Sequence, residues 1–217
     1  MNLQNLYIQM INDPVIIEAY SLIAEKEGLP GNYATHDMSH IMRVIEYCNK
    51  ISRLVNLSDD DIAGIKIAAL LHDIGCSNGS KGGHARRSYE WAKDYFQNKE
   101  IDAAAKEKIL TAISEHSEGA TSLYGIILLF ADKIDICDKR ILPQGRLIVG
   151  NRQYAHIRSV DFHIKDGKLI VEFNTDGEMD IDEMNEYYFT KKVFQSVEGL
   201  AVSFGLDYEI LIDGLEQ

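Results

Sequence analysis

The sequence predicts a mainly α-helical protein, a helical bundle with a β-hairpin and a closing helix at its C-terminal end. Three observations predict it. Apolar residues recur at helical intervals from residue 3 to about residue 140, the period switches to strict alternation beyond Pro143, and capping residues and short glycine-rich turns separate the segments. Residues 3 to 27 read as two short helices broken at Pro14, and Gly28-Leu29-Pro30-Gly31-Asn32 reads as a turn. From Asp37 onward, Ile41, Val44, Ile45, Cys48, Ile51 and Val55 keep the spacing of an amphipathic helix. His36 and His40, four apart, share a face of that helix or of its first turn. Ser58 is a good N-cap, and Asp59, Asp60 and Asp61 complement the positive end of a helix running through Leu70-Leu71 toward His72. Gly75 is placed to end it.

Three glycines between Ser77 and Gly83 mark a loop, and Ala85 to Phe96 reads as the next helix. Asp102 can cap a helix to about His116, and Ser122 one that runs through Asp132 to about Arg140. Then Val160, Phe162 and Ile164 alternate, Asp166-Gly167 is a hairpin turn, and Leu169, Val171 and Phe173 alternate again. A last helix is expected from about Asp182 to Phe204, with Met184, Tyr188, Val197, Leu200, Ala201 and Phe204 mostly on one side, as core or as a homodimer face. The organisation expected is helices over 1–30 packed on the core, a helical domain over 31–142, and a hairpin plus helix over 143–217 in the same globule.

A chain of 217 residues with 46% hydrophobic content can bury a sizeable core. Its 22 basic and 34 acidic residues give a net charge of −12, so a nucleic-acid polymer is repelled and an anionic partner should be small. The longest apolar run, Ile126 to Ala131, is far short of the roughly 20 residues that cross a bilayer. No lysine or arginine precedes Lys26, unlike a signal peptide. Cys48, Cys76 and Cys137 are odd in number and unrelated in spacing, which points to free thiols in a reducing cytoplasm.

Five of the seven histidines fall between positions 36 and 116, and His40, His72, His84 and His116 sit at or near predicted helix ends. Ends of separate helices can converge in a bundle. Imidazole and carboxylate together suit Mn, Fe, Co, Ni or Zn better than Ca or Mg. The adjacent pair His72-Asp73 is the most informative. Neighbours on a helix diverge by about 100°, so the imidazole can hold one ion while a two-oxygen carboxylate bridges two.

Leu70-Leu71-His72-Asp73-Ile74-Gly75, preceded by His36-Asp37-Met38-Ser39-His40-Ile41-Met42-Arg43-Val44, resembles the HD-domain superfamily of metal-dependent phosphohydrolases. The resemblance covers roughly residues 30 to 140 and implies an HD-type helical bundle. Carried over residue by residue, His40 matches the early histidine, His72 and Asp73 the pair, and Asp132 in Phe130-Ala131-Asp132-Lys133 the final ligand. His84 and His116 match, in order, the two extra histidines of members that hold two ions. The implied cofactor is a divalent transition metal, two ions with Asp73 between them, activating a water as hydroxide. Catalytic work then falls to His72 and Asp73, with Lys81 and Arg86 as cations for phosphate; Arg87 and Lys133 are also near in sequence, and of Arg86 and Arg87 only one can face the site. Cys76 departs from the pattern, because many relatives carry lysine there; Lys81 is the substitute at hand.

The expected partner is a small phosphorylated substrate, a nucleotide by preference, with neither a nucleic-acid polymer nor a membrane involved. Two other readings stay open: a di-iron oxygenase of the same superfamily, and a non-catalytic sensor module. The 16 residues from His116 to Asp132 lean toward the phosphohydrolases.

Overall fold

The computed structural model describes every residue except Met1, Pro30, Gly31, Ser80 and Glu118. The first two helices are α1 (Leu3–Ile11) and α2 (Pro14–Glu27). Asp13 caps α2 by accepting from Val15 N, and Pro14 sits at the first helical position, where its missing N–H costs nothing. Gly28 caps the end of α2, while Pro30 and Gly31 of the expected turn lie outside the described residues. Asp37 starts α3 (Met38–Leu54), its Oδ1 accepting from the N–H groups of Ser39 and His40. Ser58 starts α4 (Asp59–Leu71) as expected. A 3-10 turn, Ile74–Cys76, leads to α5 (His84–Tyr95), then to α6 (Ala103–Glu115), capped by Asp102, and α7 (Leu123–Ile134).

The chain divides into two compact units, residues 1–28 with 36–132, and residues 29–35 with 133–217. In the first, α4 is buried from Ile62 to Leu71 except at half-buried Lys66, and packs against α1, α3 and α6. A helix apolar all round is stable only in such a position. It therefore fixes where its own C-terminal end, and with it His72 and Asp73, must lie.

Two expectations need correcting here. Gly75 does not terminate α4 through a left-handed backbone, for it is not among the positive-φ residues. Its role is steric: a β-carbon there would lie 2.4 Å from Ser88 N and 2.5 Å from His84 O, so only glycine lets the 3-10 turn dock on the first turn of α5. The helix through Asp132 ends at Ile134, short of Arg140, and Asp135 beyond it is buried, its carbonyl accepting from Arg140 Nη1 at 2.8 Å.

The second unit holds the hairpin β1 (Ile157–Lys165) and β2 (Lys168–Thr175), joined by Asp166 and Gly167, both at positive φ as a two-residue primed turn requires. The expected closing helix is two, α8 (Ile181–Glu186) and α9 (Tyr188–Ser203), divided where Tyr187 turns extended. The ring of Tyr187 lies over Gly150, leaving no room for a β-carbon, and its hydroxyl donates to Asn151 Oδ1 at 3.0 Å. Met184, Val197, Leu200 and Ala201 are core, whereas Tyr188 is exposed. The chain does not close on the helix either. β3 (Asp207–Ile212) adds parallel to β2, and β4 (Leu215–Glu216) returns antiparallel through Asp213 and Gly214, a second positive-φ pair.

Candidate metal centre

Five stretches of the first unit bring side chains to one place. His40 comes from the first turn of α3, His72 and Asp73 from the end of α4, His84 from the start of α5, His116 from the end of α6 and Asp132 from α7. Asp73 lies between two groups. Its Oδ2 is 3.2 Å from His72 Nε2 and 3.4 Å from His40 Nε2; its Oδ1 is 3.1 Å from His84 Nε2 and 3.6 Å from His116 Nε2. Asp132 Oδ1 stands on the first side, 3.4 Å from His40 Nε2 and 3.9 Å from His72 Nε2. His40, His72, Asp73, His116 and Asp132 are all buried, and His84 is half-buried. His116 is buried although Ser114, Glu115 and Ser117 beside it in sequence are polar.

The tautomers follow from the backbone. Nδ1 of His72 lies 2.8 Å from the carbonyl of Ala69, Nδ1 of His84 2.8 Å from that of Lys81, and Nδ1 of His116 2.7 Å from that of Ile113. A carbonyl only accepts, so each Nδ1 carries the hydrogen and each neutral ring presents an Nε2 lone pair. For His72 and His116, which cap α4 and α6, the same bond satisfies a carbonyl of the helix end. Two consequences test the fit to a cation. His72 Nε2 is buried with no hydrogen-bond partner. His84 Nε2 and His116 Nε2 stand 2.9 Å apart, and two lone pairs at that distance repel unless a proton or a cation lies between them. Two nitrogens each about 2.1 Å from one ion and at a right angle would be about 3.0 Å apart, so the spacing suits neighbouring ligands. His40, His72 and Asp73 form one group able to hold an ion, and Asp73, His84 and His116 form another.

The electrostatics agree. Burial works against a charge on His72, yet the carboxylates of Asp73 and Asp132 outweigh it and push its pKa up to about 10. Burial would likewise raise Asp73, but His72, His116 and His40 hold its carboxyl well below the usual range. His116 is lowered, by burial and by repulsion from His72 and His84. Two buried carboxylates demand positive charge, and unequal histidines compete to supply it as protons.

Of the cations expected to meet phosphate, Lys81 is exposed in the loop before α5. Arg86 is exposed on α5, two residues and thus about 200° from His84, which turns it from the face that His84 occupies. Arg87 is the one on His84's side, and its guanidinium donates to the carbonyls of Gly75 and Gly82. Cys76 is buried, and burial, followed by the charge of Asp73, pushes its thiol up to about 12, which favours packing over ligation.

Three residues at the end of α2 and near it escaped the sequence reading. The buried hydroxyl of Tyr20 donates to the carbonyl of Leu70 at 2.6 Å, gripping α4 two residues before His72. Lys26 donates to the carbonyl of Ser77, and Glu27 Oε1 accepts from His36 N. Burial pushes the Glu27 carboxyl up to about 7 against the lowering effect of its backbone bonds to His36 and Asp37. His36 is buried with its ring edge-on to His40 at 5.9 Å, behind the residue at the centre of the cluster. Its sequence neighbour Asp37, not His36, is the helix cap. Nothing in the spacing of α2 distinguishes these residues from ordinary core and surface positions.

A helical domain that gathers imidazoles and carboxylates from α3, α4, α5, α6 and α7 is of a metal-binding class. Residues 38–137 match the family model of the HD domain, and the chain belongs to the HD superfamily. The chain is also similar to a crystal structure of a predicted HD superfamily hydrolase from an uncultured Thermotogales bacterium, at 30% identity over 63% of this chain and 75% of that one, with a TM-score of 0.45. No curated protein matches. No helix among the described residues is long and apolar enough to cross a membrane.

Proposed function

We propose that the protein is a metal-dependent hydrolase that cleaves a phosphate ester or anhydride of a small molecule, a nucleotide by preference. The observation that carries this reading is the placement of Asp73 between two histidine groups, with His72 Nε2 buried and lacking a hydrogen-bond partner on one side and His84 Nε2 and His116 Nε2 2.9 Å apart on the other. Membership of the HD superfamily supports the hydrolytic class. His40, His72, Asp73 and Asp132 would hold one divalent transition ion, and Asp73, His84 and His116 a second. When bound, such ions lower the pKa of water and neutralise charge developing on phosphoryl oxygens.

The residues of the chain do the rest. The backbone carbonyls of Ala69, Lys81 and Ile113 lock the rings with Nε2 inward, so no ligand has to change tautomer or rotate. Burial of His40, His72 and Asp73 excludes bulk water from the inner side of the cluster and strengthens every charge there. Half-buried His84 and exposed Lys81 mark the open side, where an anionic substrate would enter and Lys81 would meet its phosphate. Arg86 is the less well-placed of the two cations first considered.

A pooled screen of nucleotides and sugar phosphates with Mn, Fe, Co, Ni and Mg, read by phosphate release and product mass, tests the reading. Metal-dependent release from at least one member supports it. Equal turnover by stripped protein, or binding without turnover across the panel, refutes it; substrate-dependent oxygen uptake would instead favour the oxygenase.

A further inference from the structure

α5 begins at His84, and Arg87 and Ser88 follow at three and four residues, one turn on and on the same side. Arg87 Nε donates to the carbonyl of Gly75 at 2.9 Å, and its Nη1 to the carbonyl of Gly82 at 2.8 Å. The buried hydroxyl of Ser88 accepts from Gly75 N at 2.9 Å. Gly75 lies two residues after Asp73, and Gly82 two residues before His84. One guanidinium and one hydroxyl therefore join the stretch that carries Asp73 to the stretch that carries His84. The guanidinium also lies against Gly79, where a β-carbon would be 3.0 Å from its central carbon.

The intervening loop needs such a tie. Asn78, Gly79, Lys81, Gly82 and Gly83 are exposed, and they bring no apolar side chain to bury. Glycine loses more freedom on ordering than any other residue, so the loop has little of its own to hold it in place. Yet His84, at its end, is 3.1 Å from Asp73 and 2.9 Å from His116.

We propose that Arg87, assisted by Ser88, is a positioning residue that sets the Asp73, His84 and His116 half of the cluster, so that the ion held there depends on Arg87 and the ion held by His40, His72 and Asp132 does not. The inference rests on the two-ion reading above. The planar fork of arginine matters, because two of its nitrogens address two carbonyls at once, which one ammonium cannot do.

The test uses the full chain and two readouts. Ions bound per chain are counted by equilibrium dialysis against Mn(II), and hydrogen exchange over residues 76–84 is followed in the stripped protein. Arg87→Met is expected to bind its tighter ion within threefold of wild type and its weaker ion at least tenfold less well. Exchange over 76–84 should rise at least tenfold, with α3 and α4 unchanged. Arg87→Lys should fall between Arg87→Met and wild type. Ser88→Ala gives the same pattern more weakly and carries the test if Arg87→Met does not fold. Two ions at wild-type affinity in both Arg87→Met and Ser88→Ala would overturn the inference. So would loss of both ions together with faster exchange throughout, the mark of a merely structural role. If wild type itself binds fewer than two ions, the two-ion reading fails, and exchange alone judges the latch: unchanged rates over 76–84 in Arg87→Met overturn it, and faster rates there uphold it.

Discussion

Gly75→Ala puts a methyl group where α5 meets the His-Asp turn. The added carbon would lie 2.4 Å from Ser88 N, 2.5 Å from His84 O and 2.8 Å from the carbonyl carbon of Arg87, all backbone atoms with no rotamer to escape into. Ordinary contact begins near 3.4 Å, so the first turn of α5 must retreat by about 1.0 Å, the difference between 3.4 and 2.4 Å. Overpacking of this kind costs about 1–3 kcal/mol. For a chain of this length, that lowers the unfolding midpoint by about 2–12 °C. The retreat also carries His84 from 3.1 Å to about 4 Å from Asp73 Oδ1. Two donors each about 2.1 Å from one ion can be at most about 4.2 Å apart, and only on opposite sides of it. His84 therefore loses its grip while the donors of α3 and α7 keep theirs. Thermal unfolding and Mn(II) dialysis of the variant measure both effects. A midpoint within a degree of wild type, together with two ions bound at wild-type affinity, would refute the reasoning.

Asp73→Ala removes the carboxylate that has an oxygen on each histidine group, and Mn(II) affinity should fall at least about a hundredfold, with hydrolysis lost; turnover at the wild-type rate would contradict the proposed role. Tyr20→Phe deletes a buried 2.6 Å bond to the end of α4 and should cost about 1–2 kcal/mol in chemical denaturation, an effect absent only if that bond does not hold the turn. The raised pKa of Glu27 sets a pH dependence whose sign is fixed. The folded chain holds a proton there that the unfolded chain releases above its ordinary value of 4.5, so this contribution is fully present below 4.5 and lost as pH rises to about 7. Allowing for solvent screening near the surface, the loss is about 1–2 kcal/mol. Glu27→Gln should flatten the stability curve between pH 5 and 8, and a curve parallel to wild type would exclude Glu27 as the cause.

The helices of the first unit were legible because their signals are local: a capping aspartate or serine at 13, 37, 58 and 102, and apolar faces at helical spacing. The six cluster residues were legible for a different reason, since the His-Asp pair and its flanking motif resemble a family. What failed was set by contacts distant in sequence. The break at Tyr187 comes from Gly150, and the steric demand on Gly75 comes from α5. The roles of Arg87, Tyr20 and Glu27 rest on bonds to single backbone groups, which no periodicity reports. β3 and β4 are a different case: Leu211-Ile212-Asp213-Gly214-Leu215 carries the same Asp-Gly turn chemistry as the first hairpin, but β3 gains its main partner in β2, more than thirty residues away, which no local pattern reports.

The most direct test is anomalous diffraction at the metal edge from crystals of the Mn(II)-loaded chain. Two peaks about 3.5–4 Å apart are predicted, one on the His40, His72 and Asp132 side of the Asp73 carboxylate and one on the His84 and His116 side. No peak at the cluster, or peaks only at sites remote from Asp73, would contradict the account.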